Sequence, residues 1–150
     1  MAIPLFKIWR NMRITLESDY ALRILSALSM HNERVDAKAL ADETSVTLNF
    51  TLKILRKLVE CGLVNSYKGV KGGYSLKIPP SEITLKQVIE HIDGPIAIVR
   101  CLETSESCAL KQDKAACAYH HIFDAISMDV AKRLAGITIR DVMEKNYKLN

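Results

Sequence analysis

From Glu17 to Met30 the apolar residues Tyr20, Ile24, Leu25 and Leu28 recur at helical spacing, which predicts a first amphipathic helix. The pattern breaks at His31-Asn32-Glu33. Asp36 can then cap a short second helix, Ala37 to Glu43, with Ala37, Leu40 and Ala41 on its inner face. After a brief turn, Thr47 is a candidate N-cap for a third helix that runs to Cys61, where Gly62 supplies a left-handed stop. Leu48, Leu55, Leu58 and Val59 are expected to face inward on it, and Asn49, Phe50, Lys53, Arg56 and Lys57 outward. Two helices joined by so short a turn make a helix-turn-helix, whose second helix is the natural occupant of a DNA major groove.

Beyond Gly62 the period shortens. Leu63-Val64-Asn65-Ser66-Tyr67 and Tyr74-Ser75-Leu76-Lys77-Ile78 alternate around the tip Lys68-Gly69-Val70-Lys71-Gly72-Gly73, which predicts a two-stranded hairpin. Gly72 and Gly73 let such a tip approach a sugar-phosphate backbone, and Lys68 and Lys71 supply charge, so the hairpin is expected to act as a wing. Pro79-Pro80 closes this module. Ile83 to Glu90 then predicts a short helix with a Thr-x-x-Gln capping box, and its pattern returns from Ile137 to Glu144. Between these repeats Tyr119, Ile122, Phe123, Ile126, Val130 and Leu134 trace an apolar stripe spaced by three and four and ended by Gly136. One wing-bearing domain has little core left to absorb so long a stripe. A partner chain is the economical acceptor, and we expect a homodimer built on a helix of about 16 residues.

Composition sharpens this picture. The 150 residues are 49% hydrophobic and 25% charged with only six Gly and four Pro, which fits one folded domain and excludes a disordered tract. No apolar run approaches the roughly 18 residues of a membrane span. The stretch Met1 to Asn11 is interrupted by Lys7 and Arg10, so no export signal is expected and the cytoplasm is the expected location. Because MRITLESDY from Met12 looks like a natural start, residues 1–11 are expected to be an extension. The net charge is only +4, but Asn49 to Lys77 holds six basic residues against the single Glu60. That surplus of five leaves the rest of the chain net negative by one, the footprint expected where phosphates are neutralised.

Of four cysteines, Cys61 ends the third helix on its inward side and is expected to serve as a small apolar residue. Cys101, Cys108 and Cys117 lie in a polar segment followed by Tyr119, His120 and His121, with the spacing C-x6-C-x8-C-x2-H. Soft metal centres need several thiolates at one point, and a loop can wrap them around it. Without an export signal, disulfides are not expected. An iron-sulfur cluster and tetrahedral zinc both fit the donors, and the lack of tight C-x2-C hooks shifts weight toward a cluster. We find no nucleophile-base constellation, phosphate-binding glycine loop or paired carboxylates, so no enzyme is expected.

Together MRITLESDYALRIL from Met12, LNFTLKILRKLVECGLV from Leu48, KGVKGGYSL from Lys68, ITLKQVIEHIDG from Ile83 and the three-cysteine loop resemble the Rrf-two family of bacterial winged-helix regulators. The resemblance covers Met12 to about Glu144. It implies a dimeric operator binder, in most members a repressor, and for the three-cysteine subset an iron-sulfur cluster that senses iron-sulfur status, nitric oxide or redox state. Cys101, Cys108 and Cys117 would be ligands. The fourth would be His120, as in the iron-sulfur-homeostasis branch, or Asp19 of the partner subunit, as in the nitric-oxide branch. The gaps of six and eight residues exceed the usual family spacing, and Leu52 stands where a polar base-reading residue can occur, so operator preference is not carried over.

The expected fold is therefore mainly α with a small β-hairpin: a winged helix-turn-helix domain plus a long C-terminal dimerisation helix. Its expected parts are the extension 1–11, the DNA-binding domain 12–79, a linker helix in 80–100, a cysteine-rich cluster-binding loop at 101–120, and the dimerisation and C-terminal helices in 119–150. In an inverted-repeat duplex, Asn49, Phe50, Lys53 and Arg56 would stand nearest base edges and Lys57, Lys68 and Lys71 would contact phosphates, with Thr47, Gly72 and Gly73 also expected at the DNA. Two rivals remain: the same regulator with a thiol switch or zinc site, and an iron-sulfur electron carrier, which leaves the helix-turn-helix and the basic segment unexplained.

Overall fold

A computed structural model describes residues 14–103 and 113–148. Helix α1 (Leu16–Met30) starts where the Thr15 hydroxyl accepts the Ser18 N–H, 3.2 Å. It buries Ala21, Ile24, Leu25 and Leu28, a row at helical spacing. Helix α2 (Ala37–Thr44) is capped by Asp36, whose carboxylate accepts the N–H groups of Lys38 and Ala39 at 2.9 Å each. Ser45, with φ 56°, turns the chain in the left-handed region, and the buried Val46 donates its N–H to Ala41 O at 3.0 Å. Helix α3 (Leu48–Glu60) follows.

On α3 the buried row is Thr51, Ile54, Leu55 and Leu58. Leu48 does not face inward as expected: it is 43% exposed, because it precedes that row at the helix start, and Val59 is half-buried. Gly62, at φ 78°, ends the helix, and Leu63 N–H returns to Leu58 O at 3.0 Å.

Strands β1 (Val64–Tyr67) and β2 (Gly73–Leu76) form the antiparallel hairpin, with Val64 opposite Leu76 and Tyr67 opposite Gly73. A third segment supports it. Val35 and Tyr74 exchange both backbone hydrogen bonds, at 2.9 and 2.8 Å. Gly73 is required there, since φ is +136° and a Cβ would stand 2.8 Å from Val35 O.

Helix α4 (Leu85–Asp93) begins with the Thr84 hydroxyl accepting the Gln87 N–H, and α7 (Ile139–Met143) begins with a full capping box between Thr138 and Asp141. The echo between their sequences has a structural cause. Leu85 N–H bonds Ile137 O and Ile139 N–H bonds Ile83 O, each at 2.9 Å, so the two Ile-Thr pairs zip together and both Ile83 and Ile139 are buried. These isoleucines join Leu28, Leu40, Leu58 and Val88 in one core with α1 as its central helix. The other α-helices among the described residues are α5 (Arg100–Glu103) and α6 (Ala118–Ala135), the second 18 residues long, preceded by a 3-10 turn at Lys114–Ala116 and closed by Gly136. Along α6, Tyr119, Ile122, Ile126 and Val130 are exposed, and its buried residue is Ser127. The Ser127 hydroxyl accepts the Ile98 N–H at 3.1 Å and donates to Phe123 O. No described helix is long and apolar enough to cross a membrane.

Candidate nucleic-acid interface and cysteine segment

The buried row of α3 sets which side chains can meet a ligand. Asn49 and Arg56 stand on the opposite side, with Lys53 next to them and Phe50 and Lys57 on the flank toward α1. Thr47, Asn49, Phe50, Lys53 and Arg56 are exposed and Lys57 is half-buried. Thr47 makes no side-chain cap, so the first N–H groups of α3 are not closed off by its hydroxyl. Leu48, Phe50 and Leu52 add exposed apolar surface at the same end, suited to thymine methyl groups.

Helix α1 braces that flank. The Tyr20 ring meets Phe50 edge-on with centroids 5.9 Å apart, and Arg23 lies over Tyr20 while pairing with Asp19 at 2.7 Å. One turn earlier, the Glu17 carboxylate accepts from both Lys53 and Lys57. These bonds hold the Glu17 carboxyl below the usual carboxylate range, Lys53 contributing most and Lys57 next. Sequence reasoning missed Glu17, because a pair across 36 and 40 positions leaves no local pattern.

The wing is tied to the α1–α2 turn. Arg34 stacks on the Tyr67 ring, 3.6 Å from its centroid, and its Nη1 donates to Lys71 O at 3.5 Å. Lys68 and Lys71 are exposed at the tip, Gly72 and Gly73 are half-buried, and Val70 is fully exposed. Gly72 cannot carry a side chain in this turn, since a Cβ would lie 2.5 Å from Tyr67 O. Arg34 was absent from the expected site; its signal would have been an arginine beside a short extended segment, which is too common to single out.

In the cysteine segment the structure brings Cys101 and His120 together, Sγ to Nδ1 3.7 Å, across the α5–α6 junction. Two ligands of one tetrahedral metal, bound at about 2.3 Å through sulfur and about 2.0 Å through nitrogen, stand roughly 3.5 Å apart, so this pair fits a shared metal centre. Cys117 is the N-cap residue of α6, and like Cys101 it is half-exposed. His121 turns away and bonds Ala115 O through Nε2 at 2.8 Å, while Lys114 Nζ donates to Cys101 O at 3.0 Å. Cys108 lies outside the described residues, as do residues 1–11, and among the described residues no three His, Cys, Asp or Glu side chains converge for a metal. Cys61 differs in kind. Its thiol bonds Leu58 O at 3.4 Å and burial raises its pKa, the behaviour of a packing residue.

Residues 14–145 match the Rrf2 family, described as Iron-dependent Transcriptional regulator. The chain belongs to this family. It is 30% identical over 128 residues to the HTH-type transcriptional regulator NsrR of Bacillus licheniformis, covering 78% of this chain and 90% of that one. To the HTH-type transcriptional regulator IscR of Aliivibrio salmonicida it is 26% identical over 137 residues, covering 90% of this chain and 79% of the other. Its fold resembles that of CymR, the global cysteine regulator of B. subtilis, with TM-score 0.73, 23% identity, and coverage of 91% of this chain and 100% of that one. The Rrf2-family protein is thus a transcription regulator of winged-helix architecture, and its relatives are regulators rather than enzymes.

Proposed function

We propose that this Rrf2-family regulator is a cytoplasmic homodimer that binds an inverted-repeat operator, most simply as a repressor, under the control of an iron-sulfur cluster. The observation that carries the reading is the position of the Cys101–His120 pair: it joins α5 to the first turn of α6, the helix on which Tyr119, Ile122, Ile126 and Val130 are exposed. A ligand set at that junction acts where two protomers would join. Asn49, Phe50 and Arg56 face base edges, and Lys68 and Lys71 contact phosphates.

Cys101, Cys108, Cys117 and His120 would hold the cluster, which supplies a redox- and nitric-oxide-reactive centre when bound. The donor set, three thiolates with one imidazole, is soft enough for such a centre, which thiolates ordinarily hold. Asp19 is the weaker fourth ligand, since its carboxylate is already paired with Arg23. Mechanical coupling runs through the chain's own residues. Asp93, at the end of α4 and just before the segment that leads to Cys101, accepts from the Thr15 N–H at 3.1 Å and from the Thr15 hydroxyl, so it anchors the start of α1. Helix α1 in turn braces α3, and a shift at the α5–α6 junction reaches both the dimer axis and the reading heads.

The test is an anaerobic preparation assayed for iron, sulfide and visible absorbance, then titrated onto duplex DNA before and after nitric oxide. Iron with matching sulfide, and a change in affinity on nitric oxide, are expected. Zinc in a colourless protein, or metal-free protein whose DNA affinity follows thiol oxidation, would replace the cluster with the zinc or thiol-switch reading.

A further inference from the structure

Six basic residues between Asn49 and Lys77 suggest six charges free to meet phosphates. Two of them are already engaged. Lys53 and Lys57 stand one helical turn apart on α3, and each donates to a different oxygen of Glu17. Two neighbouring contacts hold α1 in place for it. Thr15 and Asp93 fix the first turn of α1 that carries Glu17, and the Tyr20–Phe50 contact holds α1 against α3 one turn further on. The Glu17 side chain is only 26% exposed, so it is lodged between the helices. Moving both lysines onto phosphates would leave Glu17 as an unpaired anion beside a polyanion, which makes the exchange unfavourable.

We infer that Glu17 is a restraint on DNA affinity: it withholds Lys53 and Lys57 from the phosphate backbone and so limits how tightly the regulator holds any duplex, whatever its sequence. The inference rests on the placement of α3 at DNA. Lys68 and Lys71 then supply the phosphate-directed charge, Arg56 is left to the base edges, and α3 keeps Lys53 and Lys57 as part of the protein. A regulator restrained in this way spends less time on bulk DNA, where the electrostatic term is all that binds it.

The experiment compares wild type with Glu17→Gln, each on a random-sequence duplex and on the tightest genomic fragment, across a salt series. Releasing a lysine to a phosphate steepens the dependence of log K on log salt by about 0.9, so Glu17→Gln is expected to steepen it by roughly 1–2 and to raise affinity roughly fivefold per lysine near physiological salt. Both duplexes should gain alike. Lys57→Ala should leave the slope unchanged in wild type and lower it by about 0.9 in the Glu17→Gln background. Equal slopes for wild type and Glu17→Gln would overturn the inference while leaving the DNA-binding reading intact. So would weaker binding by a Glu17→Gln protein of unchanged helicity, or a changed sequence preference. A protein that binds no duplex in either form would remove the α3 reading and the restraint with it.

Discussion

Replacing Ile122 and Ile126 by alanine tests the exposed stripe of α6 quantitatively. The two side chains are 54% and 43% exposed in the single chain, so about half of each surface is left for a partner. Full burial of an isoleucine is worth about 1.5–3 kcal/mol, which assigns roughly 1 kcal/mol to the uncovered half. A two-fold axis uses each position twice, so each substitution removes about 2 kcal/mol from the dimer and the pair about 3–4 once the retained Cβ is counted. That predicts a dimer dissociation constant weakened by roughly 200- to 1,000-fold in the double variant. Sedimentation equilibrium over a wide concentration range measures it, with far-UV circular dichroism to check that helicity is unchanged. The reasoning fails if the double variant dimerises as tightly as wild type, or if wild type is monomeric throughout.

Arg56→Ala should cost about 1–3 kcal/mol on a preferred operator and relax its base preference, whereas Lys71→Ala should weaken all duplexes alike and flatten the salt slope by about one; equal behaviour in a binding titration would contradict that division. Gly73→Ala places a methyl against Val35 O at a φ only glycine favours, so a stability loss of about 2–3 kcal/mol and faster amide exchange at Val35 and Tyr74 are expected. The Asp141 carboxyl is held below its ordinary pKa by the Thr138 hydroxyl first and the Thr138 N–H next. Its stabilisation of α7 is therefore complete above the ordinary carboxylate pKa and fades as pH falls through the lowered one; Asp141→Ala should lose that acid sensitivity in a thermal melt series.

The parts legible in the sequence are those governed by neighbours along the chain. The Asp36 cap, the Gly62 stop, the antiparallel hairpin and the stripe of α6 each arise within a few residues, and each stands where its pattern puts it, although β2 is half-buried throughout instead of alternating. What stayed hidden depends on contacts across the fold. Leu48 reads as an inward residue from its place in the helical pattern, yet the buried row of α3 begins only at Thr51, so it is exposed. The Ile-Thr echo carries no meaning until both copies are seen bonded to one another. For the site, the spacing of Cys101 and His120 named two candidates, and their 3.7 Å approach comes from the packing of α5 against α6. The charge surplus of the α3–wing segment was visible as a sum, but not that Glu17 holds two of its lysines.

Selection of duplexes from a random pool with the purified protein asks α3 and the wing to choose a sequence. Enrichment of an inverted repeat whose half-site centres lie about 10–10.5 base pairs, or a multiple of that, apart is expected of a two-fold pair of α3 helices. A pool that stays random after repeated selection, or a single asymmetric site occupied by one chain, would contradict it.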